Sequence, residues 1–553
     1  MPILNYTTES YGGLMKTCEG KGTRPMIRTR LRRLRDKDTR KLIAVILAGK
    51  MLGIVALLFA VKAFGWYFGS QASAATLRQV AVKADDIVNP MNTVWVLVTA
   101  FLVFFMQAGF MGLEAGFARS RETVNVLMEC VFDTCLCGLL YWAWGFAFQF
   151  GTGNGFIGHT YFLLHGAPQT YGTTGVAFLA FWLFQFAFAD TASTVTSGAM
   201  VGRTAFIGDI WYSIAVSGFI YPIFGHWAWG PGGWLGNMTL HPLSTFTHGA
   251  VFRDFAGSTV VHTVGGFIAL AGAMALGPRL GRKFKKDGGG PTPPHDLTWG
   301  AIGGVILWFG WYGFNPGSTL SAMDFAGIGR VAANTTIAAC AGGMMAVLFV
   351  YPRSKKWDLG ISVNGFLGGL VAITCPCYWV SPFGAVVIGA VAGIVVPLGI
   401  DFLESRRIDD PIGAVPVHGF AGIWGTLSLG LLATGHYGVP TSTGVDTSTV
   451  VKGLFYGGGL DQLKAQFIGS ATCVIAVFGV SLAIMYFLKN RGVLRLSREA
   501  ELEGMDFAEH GTAAYHMEFG QGMTYSTPAG LPFNGSHKEA PSEEPVPAAR
   551  AEE

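Results

Sequence analysis

The sequence predicts an all-α polytopic membrane protein, and three features of its composition predict this fold class. Charged residues make up 13% of the 553 residues, about half of the roughly 25% that is usual in soluble proteins. Apolar residues make up 51%, including 42 Phe. Glycine occupies 78 positions, about twice its usual share, as expected where helices pack through small residues in a bilayer. This composition argues against a soluble enzyme, and the net charge of +4 is too small to predict nucleic-acid binding.

Eleven apolar segments are each close to the ~20 residues that a helix needs to cross a bilayer. We therefore predict a membrane domain of eleven transmembrane helices within residues 85–488. The segments lie at 93–117, 125–150, 176–201, 207–228, 257–277, 298–316, 328–352, 361–378, 383–402, 412–434 and 463–488.

Lys and Arg are divided unevenly between the two sets of loops. The loops after odd-numbered segments carry seventeen, and the other side carries six, of which Arg330 and Lys464 lie at the starts of two segments. Cytoplasmic loops of membrane proteins are enriched in Lys and Arg. We therefore predict a bacterial inner (cytoplasmic) membrane protein whose membrane domain has its N-terminus outside and its C-terminus in the cytosol.

The two ends of the chain differ from this domain in composition. Residues 28–41 hold eight Lys or Arg, and an apolar stretch at 42–69 is followed by Ala72-Ser73-Ala74. We interpret residues 1–74 as a basic leader with a cleaved signal peptide, and an uncleaved extra helix is the alternative. Residues 489–553 are predicted to form a polar cytosolic tail, disordered beyond about 530.

The fifth and tenth segments share a short pattern, Val-His-x-x-x-Gly. It places His262 and His418 at the same position of two five-segment halves, 156 residues apart. An odd number of segments in each half inverts the second half relative to the first. We predict a 5+5 inverted repeat plus a C-terminal helix, with a substrate site between the halves near the bilayer midplane.

A histidine inside an apolar segment is costly unless it has a partner or lines a pathway. A single one is best interpreted as a packing residue, but two at corresponding positions favour a shared pore site. A metal site is not predicted, because no third ligand lies at a recognisable spacing. The sequence shows no nucleophile–base pair and no cofactor-binding loop, so neither an enzyme nor a cofactor is predicted.

Aromatic residues cluster where the fourth segment ends, in His226-Trp227-Ala228-Trp229-Gly230. Ring faces at an outer mouth attract cations. The alternative is the aromatic belt that membrane proteins place at the interface, which accounts for Trp227 whatever the role of Trp229.

Several longer motifs resemble signatures of the ammonium transporter (Amt/Mep/Rh) family, and they occur in its order over about residues 85–515. The motifs are Phe184-Gln-x-x-Phe188-Ala, Asp254-Phe-Ala-Gly-Ser-Thr-Val-Val-His262, Gly310-Trp-Tyr-Gly-Phe314-Asn-Pro-Gly-Ser318, Asp409-Asp-Pro and Val417-His418-Gly.

This resemblance implies an eleven-helix homotrimer with one pore in each subunit. It implies that Phe188, Trp229 and Ser318 recruit ammonium at the outer mouth, and that Phe188 and Phe314 form a stacked phenyl gate. It also implies that Asp254 organises the outer vestibule.

The resemblance further implies that His262 and His418 are paired pore histidines. Three residues depart from the family pattern, and one of them is Ala508, which stands where some relatives carry a phosphorylatable threonine. Asp190 stands where a small or apolar residue is usual; it is either a hydrogen-bonded acid that faces another helix or a modulator of ion handling near the gate. Gly413 stands where relatives often carry an acid, which places the anchoring of the tenth helix in doubt.

The implied function is ammonium transport across the cytoplasmic membrane, with methylammonium as an analogue. Ammonium is recruited outside and deprotonated, ammonia passes the histidines, and net transport is electrogenic. The alternatives are an ammonium sensor with little flux and an electroneutral ammonia channel of the Rhesus branch. The family also implies a cytosolic PII-type regulator, for which the tail and the basic loop at 278–297 are the candidate docking region.

Overall fold

The computed structural model describes residues 85–442 and 444–515. The described residues are mostly helical, which confirms the all-α prediction. The predicted leader at 1–74 and the predicted disorder beyond about 530 lie outside these residues.

Nine helices in the described part of the chain are long and apolar enough to cross a membrane. Each lies over one of the predicted segments. We number these nine together with two further helices, the sixth and the eighth, in chain order. The nine are α1 (Asp85–Phe117), α2 (Ser120–Phe150), α3 (Phe178–Ser197), α4 (Phe206–Asn237), α5 (Ser258–Leu276), α7 (Phe325–Ser354), α9 (Pro382–Ser405), α10 (Val415–Leu432) and α11 (Asp461–Asn490).

The other two predicted segments are also helical, as α6 (Leu297–Gly317) and α8 (Leu359–Thr374). With 16 residues, α8 is a shorter apolar helix. The 21 residues of α6 include several Trp, Tyr and Gly, which lower its hydropathy. All eleven predicted segments are therefore helices, while the number that cross the membrane stays a prediction.

Several long helices change geometry along their length. Helix α1 is divided at Phe105, and α4 is interrupted before its last turn. Wider, π-helical turns, which are frequent at functional sites, lie at Tyr141–Gly145, Val216–Ile220, Ser258–Thr263 and Val415–Phe420. The last two of these turns contain His262 and His418.

Short elements lie between the long helices and after them. Two antiparallel hairpins are formed by β1 (Thr170–Tyr171) with β2 (Val176–Ala177) and by β3 (Val439–Thr441) with β4 (Gly444–Asp446). Single helical turns lie at Phe162–Leu164, Leu243–Phe246, Lys285–Asp287, Thr447–Thr449 and Leu454–Tyr456. The tail forms α12 (Arg498–Glu503) and α13 (Met505–His510).

Helices α3, α5 and α10 form the centre of the molecule. Over an apolar stretch of 18 residues in each helix, the buried share is 83% in α3, 89% in α5 and 72% in α10, compared with 28% in α11. Because almost no side of α3 or α5 faces outward, polar side chains on these helices must contact protein or line an internal space.

Glycine lets α5 and α10 cross at backbone contact. A Cβ atom on Gly266 would lie 2.3 Å from the backbone nitrogen of Gly419, and one on Gly422 would lie 2.5 Å from the carbonyl oxygen of Ser258. Only glycine fits at such a crossing. The contact fixes the two histidine-bearing segments against each other.

A buried ion-pair cluster joins the loops that follow α3, α5 and α9. The side chain of Asp409 accepts hydrogen bonds from Arg279 at 2.9 and 3.1 Å and from Arg282 at 3.2 Å. Arg203 donates to the Asp409 carbonyl oxygen at 2.6 Å. These loops are among those predicted to be cytosolic, and the contacts place them at one end of the molecule.

The tail helices also contact this end of the membrane domain. Glu501 accepts hydrogen bonds from Arg495 and from the backbone nitrogen of Leu280. Asp506 accepts from the backbone nitrogen of Asn125 at 3.0 Å, and His510 bonds the Asn125 side chain at 2.9 Å. The tail is therefore anchored to the loop after α5 and to the start of α2.

Replacing Asp409 by asparagine is expected to lower the free energy of unfolding by about 3–5 kcal/mol, the usual cost of leaving a buried charge without its partner. Burial would raise the pKa of Asp409, but Arg279, together with Arg203, holds the pKa below its ordinary value. The stabilisation by a depressed pKa is present above the unfolded value of about 3.9 and is lost as pH falls below it. The wild-type unfolding midpoint should therefore not change through this group between about pH 5 and 8.

The exposed pair between Asp287 and Arg407 provides the control for this prediction. Asp287→Asn removes a similar charge from a solvated pair and should cost at most about 1 kcal/mol. Thermal unfolding of the detergent-solubilised variants measures both. Equal shifts for the two variants would contradict the role assigned to Asp409.

Candidate functional site

A cavity of about 360 Å³ opens where α4 and α6 end, at the opposite end from Asp409. Its lining includes the predicted recruitment residues Phe188, Trp229 and Ser318, together with Asp254. The Trp229 indole nitrogen donates to the Asp254 carbonyl oxygen at 2.7 Å, and the Ser318 hydroxyl donates to the Phe314 carbonyl oxygen at 2.9 Å. The hydroxyl oxygen of Ser318 therefore keeps lone pairs for a hydrogen-bond donor in the cavity.

Two stacked phenyl rings close the inner end of this cavity. The ring centroids of Phe188 and Phe314 are 3.9 Å apart with an interplanar angle of 20°, and both side chains are buried. The Trp229 ring stands edge-on to Phe188 at 6.2 Å. The structure therefore brings together the predicted recruitment and gate residues, which come from α3, α4 and α6.

The two histidines lie directly behind the stacked rings. Their Nδ1 atoms are 3.1 Å apart, so one imidazole donates a hydrogen bond and the other accepts it. The His262 ring stacks on Phe314 at 5.4 Å and on Trp311 at 5.1 Å. His262 is fully buried and 6% of His418 is exposed. The Nε2 atom of His262 has no hydrogen-bond partner among the described residues, so it is free to bond a small molecule.

Asp254 holds the start of the helix that carries His262. Its two carboxylate oxygens accept four backbone hydrogen bonds of 2.8–3.0 Å, from residues 257–260. Gly257 makes this turn with a φ of +117°, which favours glycine. The carboxylate therefore satisfies the unpaired N–H groups of the first helical turn and fixes the direction of α5.

Asp410 has the same role in α10, which its place in the motif Asp409-Asp-Pro did not predict. Its carboxylate accepts hydrogen bonds of 2.9–3.1 Å from the backbone nitrogens of Gly413, Ala414 and Val415. Gly413 has a φ of +82°. Asp410 therefore anchors the start of α10, although residue 413 is a glycine and not an acid.

The two halves of the sequence share a longer pattern that indicates the role of Asp410. Both halves contain Asp-x-x-Gly-x-x-x-x-His, ending at His262 and at His418. The shorter pattern Val-His-x-x-x-Gly begins only at the valine before each histidine and therefore leaves these acids out. The longer pattern pairs Asp254 with Asp410 and Gly257 with Gly413.

Asp190 lies outside this line of residues. It is fully buried, and one carboxylate oxygen accepts a hydrogen bond from Thr134 on α2 at 3.1 Å. It lines neither the cavity beside Trp229 nor the smaller cavity behind His418. This position agrees with the first of the two alternatives, an acid that faces another helix.

Within residues 85–442 and 444–515, no group of three or more His, Cys, Asp or Glu side chains has the arrangement of a metal site. The site is built instead from ring faces, one hydroxyl and two imidazoles that share a hydrogen bond. Such groups bind a small cation at the mouth and a small neutral hydrogen-bonding molecule inside.

Comparison with known proteins identifies the family of this chain. The sequence profile described as the Ammonium Transporter Family matches residues 94–515. Ammonium transporter Amt2 of Archaeoglobus fulgidus is 44% identical over 428 residues, which cover 77% of this chain and 88% of that protein. Ammonium transporter 1 member 3 of Solanum lycopersicum is 35% identical over 442 residues, which cover 78% of this chain and 94% of that protein.

Solved structures agree in fold. A protein described as Sensor Amt Protein matches with a TM-score of 0.68 and 34% identity, covering 77% of this chain and 99% of its own. Saccharomyces cerevisiae Mep2 matches with a TM-score of 0.65 and 27% identity, covering 74% and 88%. The sequence relatives are transporters and not enzymes. The chain is a multi-pass membrane protein that belongs to the ammonium transporter family.

Proposed function

We propose that this protein transports ammonium across the cytoplasmic membrane by separating the ion into ammonia and a proton. The observation that carries the proposal is the unbroken line of contacts from the outer cavity through Phe188 and Phe314 to His262 and His418. A cation-attracting mouth, an apolar constriction and a neutral hydrogen-bonding pair follow one another along this line.

Recruitment takes place at the outer cavity. The ring faces of Trp229 and Phe188 attract the ammonium cation, and the Ser318 oxygen accepts one of its four N–H bonds. Asp254 stabilises this cavity in two ways. Its carbonyl oxygen accepts a hydrogen bond from Trp229, and its carboxylate accepts hydrogen bonds from the backbone N–H groups at the start of α5.

Deprotonation takes place at the stacked phenyl rings. A bare cation between Phe188 and Phe314 costs several kcal/mol, because neither ring supplies the hydrogen bonds that water gives up. Neutral ammonia passes at a lower cost and then exchanges hydrogen bonds with His262 and His418. The proton follows separately through the bonded imidazoles, which makes net transport electrogenic.

The architecture is part of the same proposal. Eleven helices cross the membrane, with α1–α5 and α6–α10 as inverted halves, and the shared Asp-x-x-Gly-x-x-x-x-His pattern supports this pairing. The Asp409 end is cytosolic and the cavity end is outside, in agreement with the loop charges. We further propose a homotrimer with one pore per subunit in the inner membrane, a membrane domain at 85–488, a leader at 1–74 and a cytosolic tail at 489–553 on which a PII-type regulator docks.

A sensor with little flux is the second candidate function, because a solved structure described as Sensor Amt Protein is 34% identical over nearly its whole length. Both functions use the same outer site. They differ in whether ammonium binding is followed by charge movement across the membrane.

Solid-supported-membrane electrophysiology on the purified, reconstituted protein separates these functions. A transporter should give currents with ammonium and methylammonium pulses whose decay slows as the lipid-to-protein ratio rises. A sensor gives a brief binding transient whose decay does not depend on that ratio, and an electroneutral Rhesus-like channel gives ammonia entry without current. Protein-free liposomes and potassium pulses are the controls.

A further inference from the structure

A second, smaller cavity lies on the inner side of His418. Its volume of about 20 Å³ holds one water molecule, since about 10–15 Å³ is the minimum. It is lined by residues from α1, α3, α8, α10 and the turn before α10, and most of them are apolar. Its polar side chains are His418, Asn364 and Glu114.

Glu114 is the acid of this cavity. It lies three residues before the end of α1 at Phe117, and therefore at the same end of the molecule as Asp409. Only 1% of Glu114 is exposed. One carboxylate oxygen accepts a hydrogen bond from Ser197 at 3.2 Å. Within the described residues, Glu114 forms no ion pair with Lys, Arg or His.

A buried carboxyl group without a basic partner is costly unless it can exchange a proton or bind a cation. Six other acids are buried in the described membrane helices: Glu122 and Glu404 form ion pairs with arginines, whereas Glu129, Asp133, Asp190 and Asp209 form none within the described residues. None of the four lines a cavity with either histidine. Glu114 differs from them because its cavity also contains His418.

We propose that Glu114 takes the proton that the histidine pair passes inward and releases it toward the cytosolic face. This inference rests on the proposed function and extends its proton route. One N–H bond of ammonium breaks, ammonia is left, and the proton moves through the Nδ1–Nδ1 hydrogen bond of His262 and His418. Through a water in the small cavity, the proton then forms an O–H bond with the Glu114 carboxylate, whose later ionisation restores the starting state.

This assignment separates the routes of the proton and of ammonia. Ammonia is neutral and needs only the apolar passage, whereas the proton needs a chain of groups that gain and lose it. Replacing Glu114 by glutamine keeps the shape of the side chain and its capacity to accept the Ser197 hydrogen bond. It removes the negative charge and the ability to take up a proton, and it replaces one acceptor oxygen by an NH₂ donor.

Glu114→Gln is therefore expected to reduce the electrogenic ammonium current by about tenfold or more, within the range usual for loss of a proton-transfer group. Ammonia entry into the same proteoliposomes, followed by an internal pH dye in a stopped-flow instrument, should persist. Glu114→Asp should keep part of the current, because a carboxylate remains near the cavity.

Glu129→Gln is the matched control. Glu129 is also a buried glutamate with one side-chain hydrogen bond, from Asn125 at 2.8 Å, but it does not line the cavity. Its variant should keep the wild-type current. A Glu114→Gln protein with an unchanged current would overturn the inference, and so would one that loses current and ammonia entry together, since Glu114 would then be structural. A wild-type protein without any ammonium current refutes the proposed function itself.

Discussion

Replacing both His262 and His418 by alanine is expected to abolish ammonium-selective current or to remove its selectivity. The two imidazoles fill the passage behind Phe314 and provide its hydrogen bonds. Without them, ammonia loses its partners, and the proton loses a route that should be worth a factor on the order of 100 or more. The space left by two rings also admits water, which lowers the cost of passing an intact cation. Electrophysiology with ammonium and potassium pulses should show a small current, or one with similar amplitudes for both ions.

The control for this double variant is a third buried histidine. His226 is fully buried on α4, with its ring nitrogens hydrogen-bonded to the carbonyl oxygens of Gln149 and Asn154, and it lines neither cavity. His226→Ala should preserve the ratio of ammonium to potassium current even where instability lowers the amount of protein. A selective, undiminished current in the double variant removes the histidines from the mechanism.

The line of contacts from Phe188 to His418 could be predicted from the sequence because its residues lie in long motifs. Phe188, Phe314, His262 and His418 are each recognisable from their neighbours, and the structure brings them into contact. The positions of the helices were predictable for a similar reason, since the apolar length needed for a membrane crossing leaves a strong signal.

Glu114 could not be predicted as part of the site. It is a single acid near the end of an apolar segment, and its cavity is formed by four helices that are distant in sequence. The same holds for Glu129, Asp133 and Asp209, since among the buried acids of the membrane helices only Asp190 stood out in the sequence, through its departure from the family pattern. Whether an acid faces a neighbouring helix or a pore depends on tertiary packing and not on local pattern.

The π-helical turns were also not predictable. Hydropathy does not distinguish Ser258–Thr263 and Val415–Phe420 from ordinary α-helix. Their geometry depends on the carboxylates that receive the first N–H groups and on the glycine crossing of α5 with α10. The carboxylate contacts are local in sequence, but the glycine crossing joins segments that lie far apart in it.

Replacing Asp254 by asparagine is expected to eliminate transport and to lower the thermal unfolding midpoint strongly. The carboxylate receives four backbone N–H groups on two oxygens, whereas an amide directs its own NH₂ group at two of them. Each buried donor left without a partner costs about 1–3 kcal/mol. The turn that carries His262 must then shift, which separates His262 from both Phe314 and His418.

Asp410→Asn tests the same argument at the second anchor. The Asp410 carboxylate accepts only three backbone hydrogen bonds, two on one oxygen and one on the other. An asparagine whose amide oxygen faces the N–H groups of Gly413 and Ala414 keeps two of these three hydrogen bonds. The loss of stability should therefore be smaller than for Asp254→Asn, while the displaced His418 should still weaken the current.

Asp358→Asn calibrates both variants. Asp358 is an exposed residue that begins α8 and accepts one hydrogen bond, from the backbone nitrogen of Ile361. Asparagine is nearly as good as aspartate at such a position, so stability and current should stay close to wild type. The order Asp254, Asp410, Asp358 follows from the number of N–H groups that each carboxylate satisfies. Equal effects at all three positions would mean that loss of charge, and not loss of acceptors, controls the stability of these helix starts.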